Sequence, residues 1–125
     1  MHTATRAPRV LIADRDRRLL TTLRRIMRNA GYETMSTTNP SQLRTMLSTE
    51  PDVLVAEAGL LPGHEAAIRR LLPRSSMTIV IAPWADTADA VAGRLVGAVT
   101  MLKPVSLAGL MSAIDEHVLH HRDDT

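Results

Sequence analysis

The chain has 125 residues, 45% hydrophobic and 22% charged, enough to bury one globular core and too few for several. It has no cysteine, which excludes disulfides and thiolate metal sites, and with no Phe, one Tyr and one Trp it is poorly supplied for stacking on bases or flavins. The formal net charge is only +2, yet eight of the fifteen basic residues fall in the first 28 positions, and Lys103 is the single lysine among arginines.

Arg9 to Ala13 is a β-branched apolar run after Pro8 and predicts a first strand ending at Asp14-Arg15-Asp16. Leu19, Leu20, Leu23, Ile26 and Met27 then recur at helical spacing until Gly31 closes the helix, with an aspartate at its start. Tyr32 to Thr37 predicts a short second strand, and Asn39-Pro40 caps a second helix that buries Leu43, Met46 and Leu47.

Pro51 to Gly63 holds a Val- and Leu-rich run of the kind buried on both faces of a parallel sheet, ending on Glu57. In open α/β sheets the carboxyl ends of the strands are where ligands collect, so Glu57 is the first candidate functional residue. Gly63 to Leu72 predicts a third helix, stopped by Pro73, and Thr78 to Ala82 a fourth strand, stopped by Pro83. A fourth helix is expected from about Asp86 to Gly97, its many apolar residues leaving Val91 and Leu95 as candidates for an exposed interface. Ala98 to Leu102 predicts a fifth strand leading into Lys103-Pro104. Ser106 caps a last helix, and His120 to Thr125 reads as a polar tail.

Alternating strands and helices with right-handed crossovers predict an α/β doubly wound three-layer sandwich, a single domain over 1–125 with its core in 9–119. No apolar run approaches the roughly 20 residues of a membrane span, and residues 1–8 lack the apolar core of a signal peptide, so a cytoplasmic location is expected. His64, His117, His120 and His121 show no metalloprotease spacing. There is no P-loop, dinucleotide fingerprint or nucleophile elbow. Nor is there a nucleic-acid-binding motif, and direct nucleic-acid contact is not expected.

The aspartate turn after the first strand, the Gly after the first helix, Pro-Asp-(apolar)4-acid, Leu-Pro-Gly and Lys-Pro occur in an order and spacing that resembles the receiver domain of bacterial two-component response regulators, over residues 9 to about 119. The resemblance implies a flavodoxin-like (βα)5 fold with sheet order 2-1-3-4-5. It also implies a site where an aspartate after strand three accepts a phosphoryl group beside Mg²⁺, read by a hydroxyl after strand four and a lysine after strand five.

Matched by position, the phosphoacceptor is Glu57. Asp14 is the first acid after strand one, Arg15 stands where the metal-contacting acid is expected, and Asp16 is the further acid. Ala82 replaces the hydroxyl, Thr100 or Met101 takes the place of the strand-five aromatic, and Lys103 and Pro104 match. The implied molecule is an atypical receiver and not an enzyme, without cofactor and with Mg²⁺ binding lost. It would act as a phosphorylation-independent interaction module for a protein partner or an output domain, with possible homodimerisation through helix four, strand five and helix five. The alternative is a conventional phosphoacceptor switch that uses an unusual acid.

Overall fold

The structure, a computed structural model, describes residues 6–95 and 97–123. The elements are β1 (Arg9–Ala13), α1 (Arg17–Asn29), β2 (Glu33–Thr37), α2 (Pro40–Leu47), β3 (Val53–Glu57), a short 3-10 turn (Ala58–Leu60), α3 (Glu65–Leu71), β4 (Met77–Ala82), α4 (Ala85–Arg94), β5 (Val99–Leu102) and α5 (Leu107–Asp123). The five strands are all parallel, in the order β2-β1-β3-β4-β5. This is the expected flavodoxin-like arrangement, with the chain reversing its direction of travel between β1 and β3.

Period-two alternation sorts the strand side chains onto two faces. Leu11, Ala13, Leu54, Ala56, Val80 and Ala82 join one core with Leu43 and Leu47 of α2, Ala67 and Ile68 of α3, and Ala88 and Val91 of α4. Val10, Ile12, Val53, Val55, Ile79 and Ile81 join the other with Leu20, Leu23 and Met27 of α1 and Leu110 and Ile114 of α5. β3 is buried along its whole length, as a central strand covered on both faces must be. Each fully buried Leu or Ile contributes about 1.5–3 kcal/mol, so the three layers are held mainly by aliphatic burial.

The helix starts follow from local chemistry. The Asp16 side chain accepts from the backbone N–H groups of Arg18 and Leu19 at 3.0 and 3.2 Å, which fixes where α1 begins. Asn39 does the same for α2 through Ser41 N–H at 3.0 Å, with Pro40 at the first helical position. Gly31 takes φ +92° after α1, a conformation that a side chain would strain.

Three expectations are corrected. Val91 and Leu95 are not surface residues: they are 3% and 4% exposed and face the sheet. The apolar excess of α4 on its outer side is alanine (Ala85, Ala90, Ala92), which covers little area and leaves no large patch. The helix also begins at Ala85 and ends at Arg94, and α3 begins at Glu65. The polar tail is helix as far as Asp123, continued by the i,i+4 stacking of His117 and His121 and a hydrogen bond from His121 Nδ1 to the His117 carbonyl oxygen. Residues 124–125 of that stretch lie outside the described residues, as does Val96.

Candidate functional site

Three strands, β1, β3 and β5, end at one edge of the sheet and bring Asp14, Glu57 and Lys103 together there. β1 runs straight into Asp14, whose backbone N–H donates to the Thr37 carbonyl at 3.1 Å and so ties the turn to the end of β2. Asp14 is 1% exposed. Its Oδ1 accepts from Asp16 N–H at 2.8 Å, while its Oδ2 is buried with no hydrogen-bond partner. β3 delivers Glu57, also buried, at its last position. β5 delivers Lys103, held by its own N–H to the Ala82 carbonyl at 2.9 Å and followed by a cis Pro104.

The central contact is a fork. Arg15 Nε donates to Glu57 Oε1 at 3.0 Å and Arg15 Nη2 to Glu57 Oε2 at 3.1 Å, so both carboxylate oxygens are taken by one guanidinium. The Arg15 backbone N–H adds a third bond to Oε1 at 3.1 Å. Lys103 Nζ lies 3.6 Å from Glu57 Oε2 and 3.8 Å from Asp14 Oδ2, beyond hydrogen-bond range and within range of direct charge attraction. Two carboxylates therefore face two cations, with a formal sum of zero.

The two acids respond oppositely to this environment. Arg15's hydrogen bonds hold the Glu57 carboxyl below the ordinary carboxylate range despite its burial. Burial raises the Asp14 carboxyl, which the Asp16 amide and Lys103 offset only in part and the Glu57 charge reinforces. The Arg15 guanidinium is pushed up by its bond to Glu57.

Gly59, two residues past Glu57, makes room for this arrangement. A Cβ built there would stand 2.5 Å from Arg15 Nη2 and 3.2 Å from Cζ, so the guanidinium occupies the space that a side chain at this position would need. Sequence reading passed over this residue. The only signal was a glycine just after the acid that ends β3.

Of the other expected site residues, Asp16 serves as the α1 cap and is exposed. Ala82 offers only its backbone carbonyl to the site, its methyl lying in the core. Thr100 stands opposite Val80 with an exposed side chain, whereas Met101, opposite Ile81, packs against the α1–α5 core. Pro104 borders a shallow cavity of about 600 Å³ whose other walls include Asp16, Leu19, Trp84, Val105 and Leu107. Trp84, the N-cap of α4, is 70% exposed at its rim.

No protein-family model matches the sequence, and no curated protein matches it. Solved structures do match. A CheY-like response regulator receiver domain from Methanospirillum hungatei JF-1 superposes with a TM-score of 0.77 at 19% identity, covering 96% of this chain and 100% of its own. The signal receiver domain of an HD domain-containing protein from Pseudomonas fluorescens Pf-5 gives 0.77 at 17% identity, covering 99% and 96%. A response regulator protein from Burkholderia pseudomallei, with a phosphorylated aspartic acid, calcium ion and citrate, gives 0.73 at 16% identity, covering 94% of this chain and 73% of that one. The chain has the CheY-like flavodoxin fold of these receiver domains.

Proposed function

We propose that this chain is a receiver-type signalling module of a two-component system that works without phosphorylation and without metal, through contact with a protein partner or an output domain. The observation that carries this reading is the Arg15 fork on both oxygens of Glu57. A phosphoacceptor needs a carboxylate oxygen free to attack, a cation to gather the transferred oxygens and a hydroxyl to receive one of them. Glu57 has neither oxygen free, and Ala82 supplies no hydroxyl.

The donor set also fits Mg²⁺ poorly. That ion demands near-octahedral oxygen coordination. Among the described residues Asp14 Oδ2 is the one buried carboxylate oxygen without a hydrogen bond, and it lies 3.8 Å from Lys103 Nζ. Among the described residues no group of three potential metal-ligating acids or histidines is assembled. The guanidinium and ammonium already neutralise the two acids, so a divalent cation would place two further charges on a balanced site. Signalling rather than catalysis is the role left to such a site. Among the described residues no helix is long and apolar enough to cross a membrane.

Homodimerisation through α4, β5 and α5 remains part of this reading, but it must use residues other than Val91 and Leu95. Val99 and Leu102 on the edge strand β5 are 39% and 49% exposed, and Leu119 on α5 is 65% exposed.

Incubation with acetyl phosphate and Mg²⁺ followed by intact-mass measurement tests the reading. The expected result is no adduct. A stoichiometric phosphoryl adduct on Glu57 or Asp52 would establish instead a conventional phosphoacceptor switch built on an unusual acid.

A further inference from the structure

We propose that the outer face of α1 is a contact surface for the phosphate backbone of duplex nucleic acid. Five of the thirteen residues of α1 are arginine (Arg17, Arg18, Arg24, Arg25, Arg28) and none is acidic. At 100° per residue these five fall within an arc of about 120°, centred about 130° round the helix from the buried Leu20, Leu23 and Met27, with Arg24 at the edge nearest them. From Arg17 to Arg28 the ridge runs about 16 Å, a length over which duplex DNA presents several phosphates.

None of the five forms an ion pair among the described residues. Arg28 Nε donates to Thr34 Oγ1 at 3.2 Å, and the carboxylate beside Thr34, that of Glu33, is already engaged by Arg9 at 3.3 Å. Among the described residues no carboxylate therefore neutralises these five charges. The ridge borders two shallow hollows, one lined by Thr21, Arg24, Arg25, Arg28 and Asn29, the other by Arg17, Thr21 and Arg24 with Ser36, Thr38 and Gln42 across the β2 edge.

The chemistry of these linings selects the partner. Arginine with Ser, Thr, Asn and Gln is the set that contacts phosphate oxygens in protein–DNA interfaces. The hollows carry no aromatic side chain for stacking unpaired bases, which disfavours a single strand. Their one large apolar lining residue, Leu20, is only 6% exposed and belongs to the core, so it offers little anchor for a protein hot spot or an interfacial membrane helix. The absence of a named binding motif says nothing against this surface, because backbone contact needs charge placement and no base-reading element. The proposal does not depend on how the Arg15–Glu57 site works.

Fluorescence anisotropy of a labelled duplex of about 20 base pairs with the full chain tests the proposal. Five phosphate contacts predict a slope of about −4.5 in log K against log salt, hence roughly a 500-fold loss between about 50 and 200 mM NaCl. Arg24→Glu/Arg25→Glu/Arg28→Glu should abolish binding at about 50 mM salt with the circular dichroism spectrum unchanged. The milder Arg17→Gln/Arg18→Gln should flatten the slope by about 2. Arg70→Glu/Arg74→Glu, on exposed arginines elsewhere, should bind like the parent. The proposal is overturned by absence of binding at about 50 mM salt, by equal loss in the Arg70/Arg74 variant, by tighter binding to the single strand, or by binding to phosphatidylserine vesicles and not to the duplex.

Discussion

On the function proposed above, replacing Arg15 by aspartate should create a metal-binding site. In the native protein Asp14 and Glu57 face Arg15 and Lys103 within 3.0–3.8 Å, and the formal charges cancel. Arg15→Asp would set three carboxylates against Lys103 alone, a net charge of about −2, which close carboxylates tolerate badly without a cation. It would also free both oxygens of Glu57 and vacate the space above Gly59 that the guanidinium occupies. For a site of about 1 mM affinity, about 10 mM Mg²⁺ stabilises the folded state by roughly 1.4 kcal/mol, and for a domain of this size that raises Tm by roughly 5 °C. Differential scanning fluorimetry with MgCl₂ against NaCl of equal ionic strength reads this directly. The native protein should move by less than about 1 °C on the same scale, since a ligand that does not bind shifts nothing. A Mg²⁺-specific rise of several degrees in the native protein would refute the reasoning, because Arg15 would then not be doing the work of the metal.

The other expected outcomes concern burial, pH and association. Val91→Glu should cost about 3 kcal/mol or more in urea denaturation, since Val91 is 3% exposed in an apolar core and the new charge has no partner there; native-like stability would show that α4 does not turn this residue inwards. Leu102→Glu, at a position 49% exposed, should change stability by no more than about 0.5 kcal/mol and should weaken any dimer seen by sedimentation. Glu57 has a depressed folded-state pKa, so its contribution is complete above the unfolded carboxylate value of about 4.3 and is lost as pH falls through the folded one. Thermal melts of Glu57→Gln should accordingly lie below the native protein at pH 7, by about 1 kcal/mol after allowing for solvent screening of the pair, and converge with it in acid. Asp14 carries the opposite sign: its carboxyl is raised by burial, its ionised form costs stability at neutral pH, and Asp14→Asn should melt no lower than the native protein at pH 7.

Much of the fold was legible because each strand is a short β-branched run bounded by proline, glycine or a capping residue, and such boundaries are local chemistry. The same logic placed Asp14, Glu57 and Lys103 at one edge, since residues that end parallel strands must meet there. What the sequence could not display was choice among neighbours. Arg15 had two carboxylates within reach, and only the position of the Gly59 backbone beneath its guanidinium shows why the fork takes Glu57. α4 was misjudged because a helix rich in alanine has little contrast between its faces, so Val91 and Leu95 read as surface when they are its anchors. The polar stretch from His120 looks like a tail because it holds no apolar residue, while the helix runs on to Asp123 with His121 Nδ1 bonded to the His117 carbonyl oxygen at 3.0 Å.

An arginine inside such a pocket changes what kind of signal the fold can carry. A modification shifts a two-state equilibrium only through its differential interaction with the two states. Where the acid at the end of β3 is free and the pocket carries excess negative charge, adding or removing a phosphoryl group alters the local balance and supplies that difference. With Glu57 held by three hydrogen bonds from Arg15 and further attracted by Lys103, the balance is struck within the chain itself. On the function proposed above, the differential energy then comes from binding. On that reading a partner able to compete for the Arg15 side chain, which is 64% exposed, would leave Glu57 buried with the Arg15 backbone N–H and Lys103 beside it and raise its carboxyl. On the same reading an acidic group presented to the mouth of the site would have this effect, and Arg15, the more exposed member of the pair, is where it would arrive.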